Sequence, residues 1–385
     1  MSDDKVDLIL FCPGDARAEQ PRYERLMARS RVALTLDMVE LGLQCELIDR
    51  IIVATASATL ATLLAAYDRV YVERDLPGQP FHFGERLAEL IERLEVRRPL
   101  YFGGSGAPLY SLESLEELCG YLLSAERTVI ANNLRSADFF GFTPPDALRR
   151  IALPASQDNN IPWLLMRQGG LEVEPLEPAI ENTFDVDTPS DLAILSLFET
   201  AKRHVRAVLD EAQLDTTRLL AVMPHLVSIN AEVTLVGRVA THIWGRSWTD
   251  IPGQKRLYVE ERGLKATGRA ERGEVRSLLG YLVEEVGPQR MFDYLASFSS
   301  AIFFDTRPLF YHLGLHLSDN DRYASDLGDV DAITDPRARA ITAAALGCEK
   351  PVILGGRNIV SGGLWALTQE AWNRADAGLL MAQES

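Results

Sequence analysis

The stretch ENTFDVDTPSDLAIL, residues 181–195, places Asp185, Asp187 and Asp191 around a short apolar segment that turns into a helix. NTFDV (182–186) reads as a strand. In an extended strand, residues two apart share a side, so Asp185 and Asp187 would project together from the strand end. Two carboxylates at one place repel, and one of them becomes harder to ionise unless a cation joins them. A divalent cation that prefers oxygen, Mg2+ or Mn2+, is the natural one. Thr188 suits the N-cap of the following helix, and Pro189 suits its first position. Asp191, three residues after the cap, suits a capping box. Asp191 therefore reads as a cap. Asp187 reads as a metal ligand or a second capping acid, and Asp185 as a structural acid or an assisting ligand.

Upstream of this stretch, strand and helix patterns alternate. VDLILF (6–11), IDRIIVAT (48–55), RVYVE (69–73), PLYFGG (99–104) and RTVIAN (127–132) are short and apolar, as buried strands are. Helical spacing runs through 22–43, 84–96, 111–125 and 160–170. In the helix at 84–96, Leu87, Leu90, Ile91 and Leu94 share a face, and Gly170 stops the helix before it. Of two cap candidates, Ser111 and Ser114, Ser114 has Glu117 three residues on and suits a capping box. The alternation predicts an α/β domain with a largely parallel sheet, whose ligands bind beyond the carboxyl ends of the strands. From about residue 200 the pattern changes. Residues 190–213 read as one long helix, and further helical segments follow, interrupted by strand-like AEVTLVGRVA (231–240) and KPVILGG (350–356). The expected organisation is an α/β domain over 1–199 and a mainly α-helical domain over 200–385.

With 385 residues, 47% hydrophobic and 24% charged, the composition is that of a globular protein. No apolar run nears the roughly 18 residues needed to cross a bilayer. The acidic start MSDD lacks the features of a signal peptide. The formal charge of −16 repels nucleic acid and anionic membranes, and no basic run overrides it. Cys12, Cys45, Cys119 and Cys348 lack CxxC spacing, which fits reduced thiols and a cytoplasmic protein.

FDVDTPSDL (184–192) resembles the (D/N)-x-D-T-P-x-D-L signature that closes the nucleotide-binding domain of the MobA-like nucleotidyltransferases. That superfamily has a GT-A-like Rossmann fold and includes guanylyl- and cytidylyltransferases of small phosphorylated acids and sugars. FGERL (83–87) is similar to a helix start in its relatives, YFGGSGAPLYS (101–111) to its hhhGxDxPhhs segment, and QDNNIPWLLMRQGGLEVEPL (157–176) to the stretch before the closing motif. The resemblance covers about residues 6–200. It implies transfer of a nucleotidyl group from an NTP to a small anionic acceptor, with release of pyrophosphate. It also implies Mg2+ or Mn2+ held by Asp187 with Asp185 assisting. Gly14 and Arg17 in FCPGDARAEQPRYERL (11–26) stand where the family has a glycine-rich loop. Gly104 and Ser105, with Asn132 and Asn133, would meet base or acceptor. Three features depart from the pattern: no lysine lies between Lys5 and Lys202, Gly106 replaces the aspartate of GxDxP, and the loop ANNLRSADFF (131–140) has no equivalent in it. Arginine and lysine are not equivalent at such sites. A non-catalytic nucleotide- or metabolite-binding protein of the same fold is therefore a second expectation. A GT-A glycosyltransferase with DVD as its DxD ranks below it. The second domain would close over the acceptor or mediate a homodimer.

Three other features invite a site reading. His312 and His316 are four apart, as metal ligands on a helix often are, and acids follow in 319–335; a solvated acidic loop is the alternative. ILGGRNIVSGGLWAL (353–367) has two Gly-Gly pairs, which suit either backbone anion binding or close packing. His82, just ahead of a helix, reads as structural.

Overall fold

A computed structural model describes residues 5–75, 81–264 and 267–380. The chain forms two compact units that interleave along the sequence. The first comprises 1–18, 28–183 and 202–208, and the second 19–27, 184–201 and 209–385. Among the described residues no helix is long and apolar enough to cross a membrane.

The first unit is built on seven strands: β1 (Val6–Cys12), β2 (Ile48–Thr55), β3 (Val70–Arg74), β4 (Pro99–Gly103), β5 (Thr128–Ala131), β6 (Phe139–Thr143) and β7 (Glu172–Pro175). Their order is β3-β2-β1-β4-β6-β5-β7. All neighbours pair in parallel except β6, which runs antiparallel to β4 and β5. β1 is buried along its whole length, which is why it reads as a continuous apolar run rather than an alternation. Its residues nonetheless divide between two cores. Leu8 and Leu10 join Leu100, Phe102 and Phe139 on one face; Ile9 and Phe11 join Ile52, Tyr101 and Phe140 on the other. Each fully buried leucine or isoleucine contributes about 1.5–3 kcal/mol.

Helices α1 (Arg22–Gln44), α2 (Ala58–Leu64), α3 (Phe83–Arg93), α4 (Leu112–Ser124), α5 (Ile161–Leu164) and α6 (Ile180–Thr183) accompany these strands. The expected α/β class and mostly parallel sheet are those observed. α3 buries Leu87, Leu90 and Ile91 on one face, and His82 caps it by accepting from the Glu85 amide. Two local expectations change. Ser111, not Ser114, caps α4, because its hydroxyl accepts from the Ser114 amide. No strand forms at 182–186: α6 ends at Thr183 and the chain runs on without regular structure to Thr188, the cap of the next helix.

The second unit is mainly helical around a four-stranded sheet. After α7 (Pro189–Ser196), α8 (Arg203–Ala212, assigned to the first unit as far as Val208) and α9 (Thr217–Leu226) come β8 (Glu232–Gly237), α10 (Thr241–Asp250) and β9 (Gln254–Val259). Then follow α11 (Leu278–Val286), α12 (Pro288–Ala296), β10 (Ala301–Asp305), α13 (Thr306–His312), α14 (Asp319–Leu327), α15 (Pro336–Leu346), β11 (Val352–Gly355) and α16 (Gly362–Asp376). The sheet order is β11-β10-β8-β9, all parallel. The long helix expected over 190–213 is two helices, α7 and α8, interrupted at 197–202.

Candidate functional site

In the first unit the chain leaves β1 for β2 and β3 on one side, then returns to place β4 on the other. The carboxyl ends of β1 and β4 therefore border a topological switch point, where open α/β sheets bind ligands. The loop after β1 carries Gly14 and Arg17, both exposed. Asp15 anchors it, accepting from the Ala58 amide (2.8 Å), the Thr59 amide (3.2 Å) and the Ser57 hydroxyl. Burial would raise the Asp15 carboxyl pKa, but these hydrogen bonds prevail and hold it below the usual value.

The loop after β4 is pressed onto this floor. A Cβ on Gly104 would stand 2.9 Å from the Phe11 carbonyl oxygen and 3.1 Å from Thr35 Oγ1, so only glycine fits. Ser105 follows, half-buried. Lys202 holds the same loop by donating to the carbonyls of Pro108 (3.0 Å) and Tyr110 (2.8 Å). Burial lowers its pKa. A Cβ on Gly106 would lie 3.3 Å from Asp138 Cβ, so Asp138, just before β6, stands beside the position where the resembling pattern has an aspartate. Asp158 is close by: its Oδ2 accepts from the Tyr101 hydroxyl at 2.9 Å. Burial first, then Asp158 and Asp138, push the Tyr101 hydroxyl well above its ordinary pKa. Local pattern does not announce Asp138, because it lies in the polar stretch ANNLRSADFF (131–140).

Asn132 and Asn133 have structural roles. Asn132 donates to Asp138 Oδ2 (2.7 Å) and the Asn182 carbonyl (3.0 Å), while its oxygen accepts from the Asp138 and Phe139 amides. Its capacity is filled, which corrects the expectation that it meets base or acceptor. The Asn133 oxygen accepts from the Arg135 and Ser136 amides, a local turn.

The three acids of the opening stretch belong to the second unit and differ in environment. Asp185 is 3% exposed, its Oδ1 lies 3.9 Å from the Arg357 guanidinium, and its backbone carbonyl accepts from Asn358 (2.7 Å). Asp187 is exposed. They do not project together, because the expected strand is absent. Asp191 is fully buried; its Oδ2 accepts from the amides of Asp187 (3.0 Å) and Thr188 (2.7 Å) and from the Thr188 hydroxyl (2.9 Å). Its expected capping role is what the structure shows. Ser190 donates to the carbonyls of Asp326 and Leu354, each at 3.1 Å.

His312 is held by its own neighbours. Nδ1 of His312 accepts from the Ser277 amide at 3.0 Å, and its ring packs on Gly280 and Tyr281. Among the described residues, Asp37, Glu40 and His204 come within metal-ligand spacing of one another. There, however, Asp37 accepts from the His204 and Val205 amides at the start of α8, and Glu40 accepts from Tyr67 and Arg203. These contacts account for the cluster as a helix cap with an ion pair.

No protein-family model matches the chain, and no curated protein sequence matches it. Among solved structures it is similar to a protein assigned as a nucleotide-diphospho-sugar transferase from Desulfovibrio desulfuricans G20, at 18% identity over 55% of this chain and 96% of that one, with a TM-score of 0.39. It is similar to a cytidylyltransferase from Leptospira borgpetersenii, at 13% identity over 55% of this chain and 96% of that one, with a TM-score of 0.38. A CMP:2-keto-3-deoxy-manno-octonic acid synthetase complexed with CTP matches at 13% identity over 54% of this chain and 99% of that one, with a TM-score of 0.37. The structural neighbours are thus nucleotide-diphospho-sugar transferases and cytidylyltransferases over about half of the chain.

Proposed function

We propose that the protein binds a nucleoside triphosphate at the carboxyl edge of its seven-stranded sheet and transfers the nucleotidyl group to a small phosphorylated acceptor. The observation that carries this reading is the switch point between β1 and β4, where an exposed loop with Gly14 and Arg17 meets the loop seated by Gly104. Arg17 would supply positive charge to the phosphates in place of the missing loop lysine. Phe81, exposed with its ring 6.0 Å from that of Phe11, would offer a face to the base. In the reaction an acceptor phosphate oxygen attacks the α-phosphorus. The bond from that phosphorus to the bridging oxygen breaks, and pyrophosphate leaves with the electron pair.

The resemblance implies a divalent metal. Asp187, an exposed carboxylate, suits Mg2+, which typically takes one or two carboxylates together with substrate phosphates. Asp185 suits it less, since its carboxylate is buried beside Arg357. Asp138, in the first unit, is a separate candidate: we infer that it supplies the carboxylate that Gly106 cannot. When bound, the metal would neutralise charge on the triphosphate. Asp138→Asn is expected to weaken Mg2+-dependent NTP binding at least tenfold in calorimetry while keeping the melting temperature. Unchanged affinity would contradict its role. A binding protein without catalysis is favoured by one observation, the absence of a lysine from the loop after β1.

A further inference from the structure

The second sheet has its own switch point. From β8 the chain goes outward to β9 and returns to place β10 and β11 on the other side. All four strands are parallel, so their carboxyl ends line one edge. We propose that this edge binds a phosphate group, free or esterified to a small molecule, through Arg238, Arg262 and Arg357.

Each arginine directly follows a different strand: Arg238 after β8, Arg262 three residues beyond β9, and Arg357 two beyond β11. The ends of β8 and β10 are drawn together at Gly237, with φ 122°, where a Cβ would lie 2.4 Å from Asp305 Cβ. Asp305 orients Arg238 through two hydrogen bonds, at 2.6 and 3.0 Å, to Nε and one terminal nitrogen. The other terminal nitrogen has donors to spare. Arg357 lies 3.9 Å from the Asp185 carboxylate. Gly355, Gly356 and Gly363 around it are needed for close packing, against Ile359, Thr188 and the Asn358 carbonyl respectively. Of the two readings of the Gly-Gly pairs, packing is therefore the one seen.

Arg262 decides the matter. Among the described residues it has no acidic partner, and it is solvent-accessible. Its charged neighbours are Arg357 and Arg238, and their repulsion opposes its charge. The nearby Glu260 is engaged by the Ser277 hydroxyl at 2.6 Å, and its carboxyl is pushed up by burial. A chain of net charge −16 thus gathers three guanidinium groups at a switch point, beside the carboxyl groups of Asp305, Asp185 and Glu260. An anion would offset that repulsion, and guanidinium forks match phosphate oxygens.

The test is a titration of the full chain with inorganic phosphate and with ribose 5-phosphate, followed by calorimetry and by thermal melting. Saturable binding that raises the melting temperature is expected, weakened at least tenfold in Arg262→Gln. Tighter binding of the ester would name an esterified ligand; equal binding would name free phosphate. Without ligand, Arg262→Gln should melt no lower than the parent chain, because it relieves like-charge repulsion; a lower melting temperature would mean that Arg262 holds the fold, and would overturn the proposal. So would unchanged phosphate affinity in Arg262→Gln, or loss of that affinity in Asp138→Asn instead. Loss of NTP binding in Asp138→Asn with phosphate binding intact would keep this site separate from the one proposed on the first sheet.

Discussion

Asp326→Ala is expected to destabilise the second unit by about 3–5 kcal/mol, the range for removing one partner of a buried ion pair. Arg307 donates to both carboxylate oxygens of Asp326, at 2.8 and 2.6 Å, and the side chains are 7% and 0% exposed. Burial alone would lower the Arg307 pKa, but the Asp326 charge outweighs it and keeps the guanidinium charged. Without Asp326, a charged group stays buried with, among the described residues, only Thr306 Oγ1 as a further partner of its terminal nitrogens. The double replacement Arg307→Met with Asp326→Leu removes both desolvation penalties and should be far milder than either single change. Denaturant midpoints measure all of these. A single-variant loss below about 1 kcal/mol, typical of exposed pairs, would show that the pair is not buried in solution.

Asp191 carries the second large effect, and its sign depends on pH. Burial first, then the Asp187 charge, push its carboxyl up to about 7, against the opposing hydrogen bonds from Thr188 and Asp187. Its Oδ1 is buried and has no hydrogen-bond partner among the described residues. The folded protein therefore holds a proton that the unfolded chain, with an ordinary aspartate pKa of about 3.9, has released. The stabilisation is fully present below pH about 4 and is lost as pH rises through 7, by at most about 4 kcal/mol. Asp191→Asn, neutral throughout, should remove this part of the pH dependence while an amide oxygen still accepts at the helix start. Urea midpoints at pH 5 and 8 for both chains test it. An equal fall between those pH values in parent and variant would assign the effect to another group.

What was legible in the sequence is what local physics decides. The apolar run of β1, the one-sided face of α3 and the Thr188–Asp191 helix start all depend on neighbours within a few residues. The strand at 182–186 failed because its neighbours are distant. Asn358 takes the Asp185 carbonyl, and Ser190 is bound to the carbonyls of Asp326 and Leu354, so the segment is fixed by residues far along the chain. β6 was hidden because ANNLRSADFF reads as a polar loop until Asn132 brackets the backbone of Asp138 and Phe139. The Asp138 neighbourhood of Gly106 and the convergence of Arg238, Arg262 and Arg357 come from strand order, which no local pattern encodes.

The most direct test of nucleotide binding is a calorimetric titration of the purified chain with ATP, GTP, CTP and UTP, with and without Mg2+, alongside Asp187→Ala. Mg2+-dependent binding of one of the four is expected, lost or weakened at least tenfold in the variant. No binding of any nucleotide in either condition would contradict it.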